Sequence, residues 1–205
     1  TIIKWKPDLE VFTDINITAD YFLDVMKKQS IVNAGVNFVF RNQVNGKFEV
    51  TEFKYENGIT DYVNEVVGDQ GLSTTQTWST EQKVRDRKDK PEYKCKMTIA
   101  VAFSNKVSMH EYYHNSSYLE YGGAPEKAVK NAFVYQIDQW LKNNGKYTKN
   151  EKKITFEDVE DCLVIVISSF SSMTSYENQT KKAITNKGIQ DAMVEFLRHE
   201  LEIYF

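Results

Sequence analysis

The order of apolar and polar positions along the chain predicts a mixture of helices and strands. Apolar residues recur every three or four positions in five segments that we interpret as helices, covering residues 19–33, 59–67, 125–141, 156–161 and 188–204. Runs rich in β-branched and aromatic residues predict strands over residues 2–5, 36–41, 47–55, 73–80, 92–103, 107–114 and 163–167. Because helical and strand-rich stretches are mixed rather than strictly alternating, the predicted fold class is α+β.

Short-range signals refine this order of elements. Asn45-Gly46 joins two predicted strands, and this dipeptide favours a two-residue hairpin turn because both residues tolerate positive φ. Residues 81–90 mix charges of both signs, which predicts a solvated loop. Residues 163–167 are continuously apolar, which is typical of a strand covered on both faces of a sheet. A boundary between a small first portion and a larger second portion is expected near residues 65–75.

Composition indicates a folded protein with a substantial core. Of the 205 residues, 41% are hydrophobic and 27% are charged, unlike a disordered tail. The 26 basic and 29 acidic side chains give a net charge of −3, which excludes a uniformly basic nucleic-acid binder but leaves local basic patches open. The longest uninterrupted apolar run, residues 162–167, is far shorter than the ~20 residues of a membrane-spanning helix. Cys95 and Cys162 are expected to be free thiols, as in a reducing cytosol, and a single disulfide bridge between them is the alternative.

One segment, His110-Glu111-Tyr112-Tyr113-His114, matches the HExxH pattern of zinc peptidases. In that pattern two imidazoles bind one Zn²⁺ and the glutamate activates water, which requires both histidines on one face of a helix. On a strand, four residues span ~13 Å, so the same two side chains cannot reach one metal ion. The two tyrosines and the preceding turn favour a strand. A zinc-dependent metallohydrolase that uses His110 and His114 is the alternative.

A second segment, residues 175–181, lies between the predicted buried strand and the last predicted helix. It carries Gln179-Thr180-Lys181, with the aromatic residue Tyr176 three positions before the glutamine. By composition alone it would be a solvated loop. In this setting it resembles the switch loop of the ATP-dependent type IIA DNA topoisomerases, the family of bacterial gyrase B and topoisomerase IV B subunits and their eukaryotic relatives.

Three further segments resemble the same family in the same order along the chain. Residues 155–163 look like the short helix and strand that precede the switch loop in the bacterial members. Asn115-Ser116, followed by Gly122-Gly123, is similar to an Asn-Ser…Gly-Gly loop of the family. Residues 6–8 (Lys-Pro-Asp) and 11–12 (Val-Phe) resemble the segment that closes its nucleotide-binding domain. The resemblance therefore covers nearly the whole chain.

The resemblance implies a fold and a function. Residues 1–67 would form the C-terminal part of a GHKL nucleotide-binding domain, and residues 68–205 a transducer domain with a ribosomal S5 domain 2-like α+β fold. The implied parent enzyme is an ATP-hydrolysing type II DNA topoisomerase, in which this region senses the γ-phosphate of ATP and couples hydrolysis to DNA gate movement and strand passage. In the family the switch-loop lysine contacts the γ-phosphate with the glutamine beside it, so Lys181 and Gln179 are the implied catalytic and ATP-binding residues.

The resemblance also implies cofactors and partners. The family's water-activating Glu, its Mg²⁺-binding Asn and its Gly-rich ATP lid are expected upstream of Thr1. ATP and Mg²⁺ are thus implied for the intact enzyme, and we expect neither to bind tightly to residues 1–205 alone. The implied partners are a transported DNA duplex, the A subunit of the topoisomerase and a second copy of the B subunit in a homodimer. The implied location is cytoplasmic, without membrane contact.

Some residues depart from the family pattern or are left over by it. Ala124-Pro125 follows Gly-Gly where the family usually has Thr-His or Arg-His, and Thr174 occupies the position of a common proline in the switch loop. A basic cluster follows the predicted helix 125–141 and consists of Lys142, Lys146, Lys149, Lys152 and Lys153. Such a cluster is usually a solvated face, and contact with DNA is the alternative.

Overall fold

Helices and strands follow each other irregularly, which confirms the predicted α+β class. The computed structural model describes residues 1–205. Helices α1–α5 span Ala19–Val32, Ile59–Val67, Ala124–Asn143, Glu157–Glu160 and Lys187–Tyr204. Strands β1–β7 span Phe38–Val44, Lys47–Phe53, Gln76–Val84, Tyr93–Phe103, Met109–His114, Ser117–Tyr118 and Leu163–Ser171. None of the helices combines the length and apolar character that crossing a membrane requires.

Five of the strands form one sheet in the order β3-β4-β7-β5-β6. Neighbouring strands run antiparallel, except that β5 and β7 run parallel, with Met109 opposite Val164 and His114 opposite Ser169. A parallel pair needs a crossover connection, and the chain between β5 and β7 supplies it with α3 and α4. β7 is the central strand, and its C-terminal end leads directly into residues 172–186, which connect it to α5.

Helices α3 and α5 cover one face of this sheet. Ile99 of β4 and Ile165 and Ile167 of β7 pack there against both helices and are fully buried. Ala128 and Ala132 of α3 face the same core, and their small side chains let the helix lie close to the strands. Burying each large apolar side chain contributes roughly 1.5–3 kcal/mol, so this face dominates the stability of the larger portion.

Helix α2 covers part of the opposite face. Val63 is fully buried in a second core together with Val164 and Val166 of β7. The continuously apolar strand is therefore covered on both faces, as predicted. The Tyr62 hydroxyl also donates to Glu111 Oε1 of β5 at 3.0 Å, which ties α2 to the sheet. The division of the chain into two domains near residue 67 stays a prediction. Helix α2, which ends at this residue, packs on the five-stranded sheet that follows in the sequence.

The first portion contains α1 and a separate two-stranded sheet. β1 and β2 pair antiparallel around Asn45-Gly46, whose φ values of 50° and 77° give the predicted tight turn. Phe22 of α1 stacks on Phe40 of β1 with ring centroids 5.8 Å apart. The hairpin prediction is confirmed in both position and turn chemistry.

Two predictions at the level of elements are wrong. Residues 2–5 form no strand, because no neighbouring strand pairs with their backbone, and Ile2 is 87% exposed. Residues 81–84 are not loop but the end of β3, where Glu81 and Lys83 stand opposite Lys96 and Lys94 of β4. Backbone pairing with β4, together with the ion pair between Glu81 and Lys94 at 3.1 Å, outweighs the poor strand propensity of these polar residues. The short strand β6 was not predicted.

Candidate functional site

The segment that resembles the switch loop, residues 172–186, connects β7 to α5. Its two arms pair with each other: Tyr176 and Ile184 form an antiparallel bridge. The Glu177 N–H donates to the Ala183 carbonyl at 3.0 Å, and the Thr185 N–H donates to the Ser175 carbonyl at 2.8 Å. We call residues 173–175 the root of the loop and residues 178–181 its tip. The paired arms connect the tip to the root.

The Gly122-Gly123 loop forms the support on which the second arm lies. Gly123 pairs with Ile184 in a parallel bridge, and the Ala124 N–H donates to the Ile184 carbonyl at 2.8 Å. Gly123 has φ +83°, and a β-carbon there would lie 2.3 Å from the Ile184 carbonyl oxygen. Only glycine allows this approach, so the structure brings together the two motifs, Gly-Gly and Gln-Thr-Lys, that the sequence separates.

The tip projects into solvent with its functional groups uncommitted. Gln179 and Lys181 are both exposed. Lys181 has φ 58°, a left-handed conformation that is uncommon for a residue with a side chain. Its ammonium makes no ion pair and lies 5.6 Å from the centroid of the Tyr176 ring. The Thr180 N–H donates to Asn178 Oδ1 at 3.1 Å, which shapes the turn locally.

The adjacent lysine has a different environment. Lys182 forms an ion pair with Glu120, and its ammonium lies 5.3 Å from the centroid of the Tyr121 ring. The hydrogen bond to Glu120 raises the pKa of Lys182 above its ordinary value. The Tyr121 N–H also donates to the Lys182 carbonyl at 2.9 Å. Lys182 therefore fastens the loop to the neighbouring segment, whereas Lys181 does not.

Asn186 anchors the root from the side of α5. Its Oδ1 accepts the Ser175 N–H at 2.6 Å, and its Nδ2 donates to Asp86 Oδ2 and to the Tyr93 hydroxyl oxygen, each at 3.0 Å. Asp86 in turn accepts the Gly188 N–H at 2.9 Å, which satisfies a free backbone donor at the start of α5. Sequence reasoning missed this buried cluster, because only the chain fold brings its members together.

Asn115-Ser116 anchors the root from the side of the sheet. The two residues have φ values of 48° and 61° and form the two-residue turn between β5 and β6. The side-chain amide of Asn115 bonds the backbone of Ser171, as a neighbouring strand would. Its Oδ1 accepts the Ser171 N–H at 3.0 Å, and its Nδ2 donates to the Ser171 carbonyl at 3.1 Å. The Asn-Ser motif thus terminates β7 just before the root.

The HEYYH segment lies on β5, as the strand interpretation predicted. His110 and His114 stand four strand positions apart, ~13 Å along the chain, and cannot bind one metal ion together. Glu111 accepts hydrogen bonds from the hydroxyls of Tyr62 and Tyr113, at 3.0 and 2.6 Å. These contacts give the glutamate a structural role, and no finding supports the zinc-dependent alternative.

The basic cluster after α3 is partly neutralised. Lys142 and Lys153 both form ion pairs with the buried Asp138, at 2.7 and 3.4 Å. The Tyr147 hydroxyl also donates to Asp138, at 3.0 Å. The hydrogen bond from Lys142 is the main cause of the lowered pKa of Asp138. Three lysines of the cluster remain exposed and unpaired, namely Lys146, Lys149 and Lys152.

Comparison with known proteins gives a consistent result. A family model described as DNA gyrase B matches residues 58–205. The gyrase B proteins of Mycoplasmoides gallisepticum and Thermotoga maritima are each 24% identical to this chain over its whole length. The chain covers 32% of each of them, so it spans about a third of the length of these curated relatives.

Solved structures share the fold. The gyrase B protein of Myxococcus xanthus matches with a TM-score of 0.73 and 14% identity, over 97% of this chain and 53% of that one. The 43K ATPase domain of Thermus thermophilus gyrase B, solved with an aminocoumarin, matches with a TM-score of 0.67 and 16% identity, over 97% and 51%. At these identities the likeness concerns the fold, which confirms the expected architecture.

Proposed function

The chain belongs to the DNA gyrase B family, and from this premise we propose that it is the coupling region of an ATP-dependent type II DNA topoisomerase. In this proposal the tip of the switch loop, residues 178–181, reaches the γ-phosphate of ATP, and the loop passes the presence or loss of that phosphate to the sheet and to α5. The observation that carries the proposal is a loop anchored by both Asn186 and Asn115 that holds an unpaired lysine in solvent.

The contrast between the two neighbouring lysines supports Lys181 as the phosphate-binding residue. An ammonium group suits a phosphate because it is a compact point charge with three donors. The ammonium of Lys182 is engaged by Glu120, and withdrawing it would cost that ion pair. The ammonium of Lys181 forms no ion pair, so it can bind a phosphate without breaking one. The exposed amide of Gln179 lies in the same tip and can donate to a second phosphate oxygen.

The proposed chemistry is electrostatic. ATP with Mg²⁺ supplies the phosphoryl group that is transferred to water, and Lys181 would offset the negative charge that develops on it during transfer. Before hydrolysis, the same contact would hold the loop in place. After hydrolysis that contact would be lost, and the sheet and α5 would be released to move. Other nucleotide-dependent switches work in the same way: a segment is ordered by contacts with the γ-phosphate and is released when hydrolysis removes them.

The remaining assignments follow from the same premise. Residues 1–67 would be the C-terminal part of the nucleotide-binding domain, and residues 68–205 the transducer. The partners would be the transported DNA duplex, the A subunit of the topoisomerase and a second copy of this protein. Of the basic cluster, we propose only the exposed Lys146, Lys149 and Lys152 as candidates for DNA contact, because Lys142 and Lys153 are held by Asp138.

The test compares two adjacent substitutions in the full-length protein, assembled with its topoisomerase partner. Lys181→Ala should lower the rate of ATP hydrolysis by roughly 100-fold, because it removes a charge-assisted contact in the transition state. Lys182→Ala is the matched control and should keep hydrolysis within a few-fold of the unchanged enzyme. Equal rates for the Lys181 variant and the unchanged enzyme would refute the proposed role.

A further inference from the structure

His114 is the second histidine of the HEYYH segment, and the proposed function gives it no role. It is the last residue of β5 and is fully buried. Both of its ring nitrogens lie within hydrogen-bond distance of hydroxyl groups: Nδ1 is 2.8 Å from Ser169 Oγ, and Nε2 is 2.9 Å from Thr174 Oγ1. Ser169 belongs to β7, whereas Thr174 belongs to the root of the switch loop. The ring therefore joins the sheet to the loop.

The surrounding hydrogen bonds favour a proton on Nδ1 of the ring. Ser169 donates its hydroxyl proton to the Tyr113 carbonyl at 3.2 Å, so its oxygen accepts from His114 Nδ1–H. Ser171 Oγ also lies 3.1 Å from His114 Nε2, but it donates its proton to the Met173 carbonyl at 2.8 Å and has none for the ring. The proton that Nε2 accepts is then that of Thr174. The neutral ring protonated at Nδ1 satisfies every member of the group.

Thr174 is held on a second side as well. Asn115 Nδ2 donates to Thr174 Oγ1 at 3.1 Å, so this oxygen accepts from the asparagine while its proton goes to His114. A proline, which the related family commonly has here, would fix φ by its ring. In this chain the hydrogen bonds of the Thr174 hydroxyl with His114 and Asn115 restrain this position instead.

We propose that His114 is a positioning residue for the switch loop: through Thr174 it fixes the root and thereby the location of Lys181. This inference rests on the proposed function, since it assigns His114 a role in presenting that lysine to the γ-phosphate. His114 does not touch the phosphate itself. Its effect passes along Thr174 and Ser175 to the paired arms at Tyr176 and Ile184.

A matched pair of substitutions at His114 separates positioning from packing. The side-chain amide of glutamine can occupy the position of the histidine Nε2 atom. The shorter side chain of asparagine places its amide at the position of Nδ1. His114→Gln in the full-length protein should therefore keep the bond to Thr174 and the rate of hydrolysis. His114→Asn should keep only the bond to Ser169 and lower kcat by about threefold to tenfold, the value of one lost hydrogen bond, with the KM for ATP unchanged.

A second pair at Thr174 keeps the test valid if the histidine variants fold poorly. Thr174→Ser retains the hydroxyl and should retain kcat. Thr174→Val is close in shape but lacks the hydroxyl, and it should lower kcat by at least the same factor, because it also removes the acceptor of the Asn115 amide. The double variant His114→Asn/Thr174→Val should lose no more kcat than Thr174→Val alone, because the valine has already removed the bond that His114→Asn removes. Losses that multiply would overturn the inference.

Amide hydrogen exchange gives a measurement that needs no ATP. The Glu177 and Thr185 amides, which pair the two arms, should exchange faster in His114→Asn than in His114→Gln. Equal exchange and equal kcat in the two variants would overturn the positioning role. If Lys181→Ala nevertheless lowers hydrolysis, the proposed function stands without it. If Lys181→Ala has no effect, the proposed function fails, and the inference with it.

Discussion

The tightest constraint on a single residue of the site is at Gly123. A β-carbon there would overlap the Ile184 carbonyl oxygen at 2.3 Å, in addition to the cost of φ +83°. Gly145 has a similar φ of +59° but open space around it. Gly145→Ala should therefore lower the free energy of unfolding only by the backbone strain, ~1 kcal/mol. Gly123→Ala should lower it by about 1–3 kcal/mol more, because of the steric overlap. Urea unfolding of both variants measures the difference, and equal costs would contradict the close approach.

A second prediction at this scale concerns the pH dependence of stability. Burial lowers the pKa of His114 from its ordinary 6.5 to about 4. Between these values the unfolded chain takes up a proton that the folded chain excludes. The contribution of His114 is therefore fully present above pH 6.5, and about 3 kcal/mol is lost as the pH falls to 4.

The measurement is the free energy of unfolding across that pH range. The unchanged protein should show a steeper fall between pH 6.5 and 4 than His114→Gln, which cannot be protonated. Parallel curves for the unchanged protein and His114→Gln would show that the ring is not buried in its neutral form.

Single residues also show how far the sequence alone could lead. The Gln-x-Lys spacing favoured Lys181 over the adjacent Lys182, but the sequence could not show the physical difference between them, because the partner of Lys182, Glu120, lies on another loop. The anchoring role of Asn186 could not be predicted for the same reason, because its partners Asp86 and Tyr93 are 100 and 93 positions away in the sequence. Side-chain partners at such separations follow from the fold and leave no local pattern.

At the scale of elements, periodicity was a good guide wherever one face is buried. The apolar stripe of α5 predicted its inward face, and Leu197 is fully buried there, whereas Ile203 is 70% exposed. Leu197→Ala should lower the free energy of unfolding by about 2–5 kcal/mol, because it leaves a cavity against the sheet. Ile203→Ala should change it by less than about 0.5 kcal/mol. Similar effects in urea unfolding would argue against this packing.

The same periodicity failed where pairing decides the structure. Residues 2–5 are mostly apolar and have strand propensity but no neighbouring strand, whereas residues 81–83 are polar and still pair with β4. Strand formation depends on a partner as much as on composition. The hairpin at Asn45-Gly46 was predictable because its partner is adjacent in sequence.

At the scale of the whole molecule, the central sheet connects the two portions of the chain. β7 packs against α2 on one face and against α3 and α5 on the other, and it leads directly into the switch loop. A displacement of the loop would thus act on a strand that touches both cores. This arrangement fits the proposed coupling role better than a role in gripping DNA along the whole surface, for which a net charge of −3 is poorly suited.

The most direct test of the central claim is whether the switch loop senses the γ-phosphate. Amide hydrogen exchange over residues 176–184 should be measured in the full-length protein with a non-hydrolysable ATP analogue and with ADP, each at saturation. We expect protection of this segment with the analogue, little with ADP, and none in Lys181→Ala with either nucleotide. Equal protection by ADP and the analogue, or full protection in the Lys181 variant, would contradict the account.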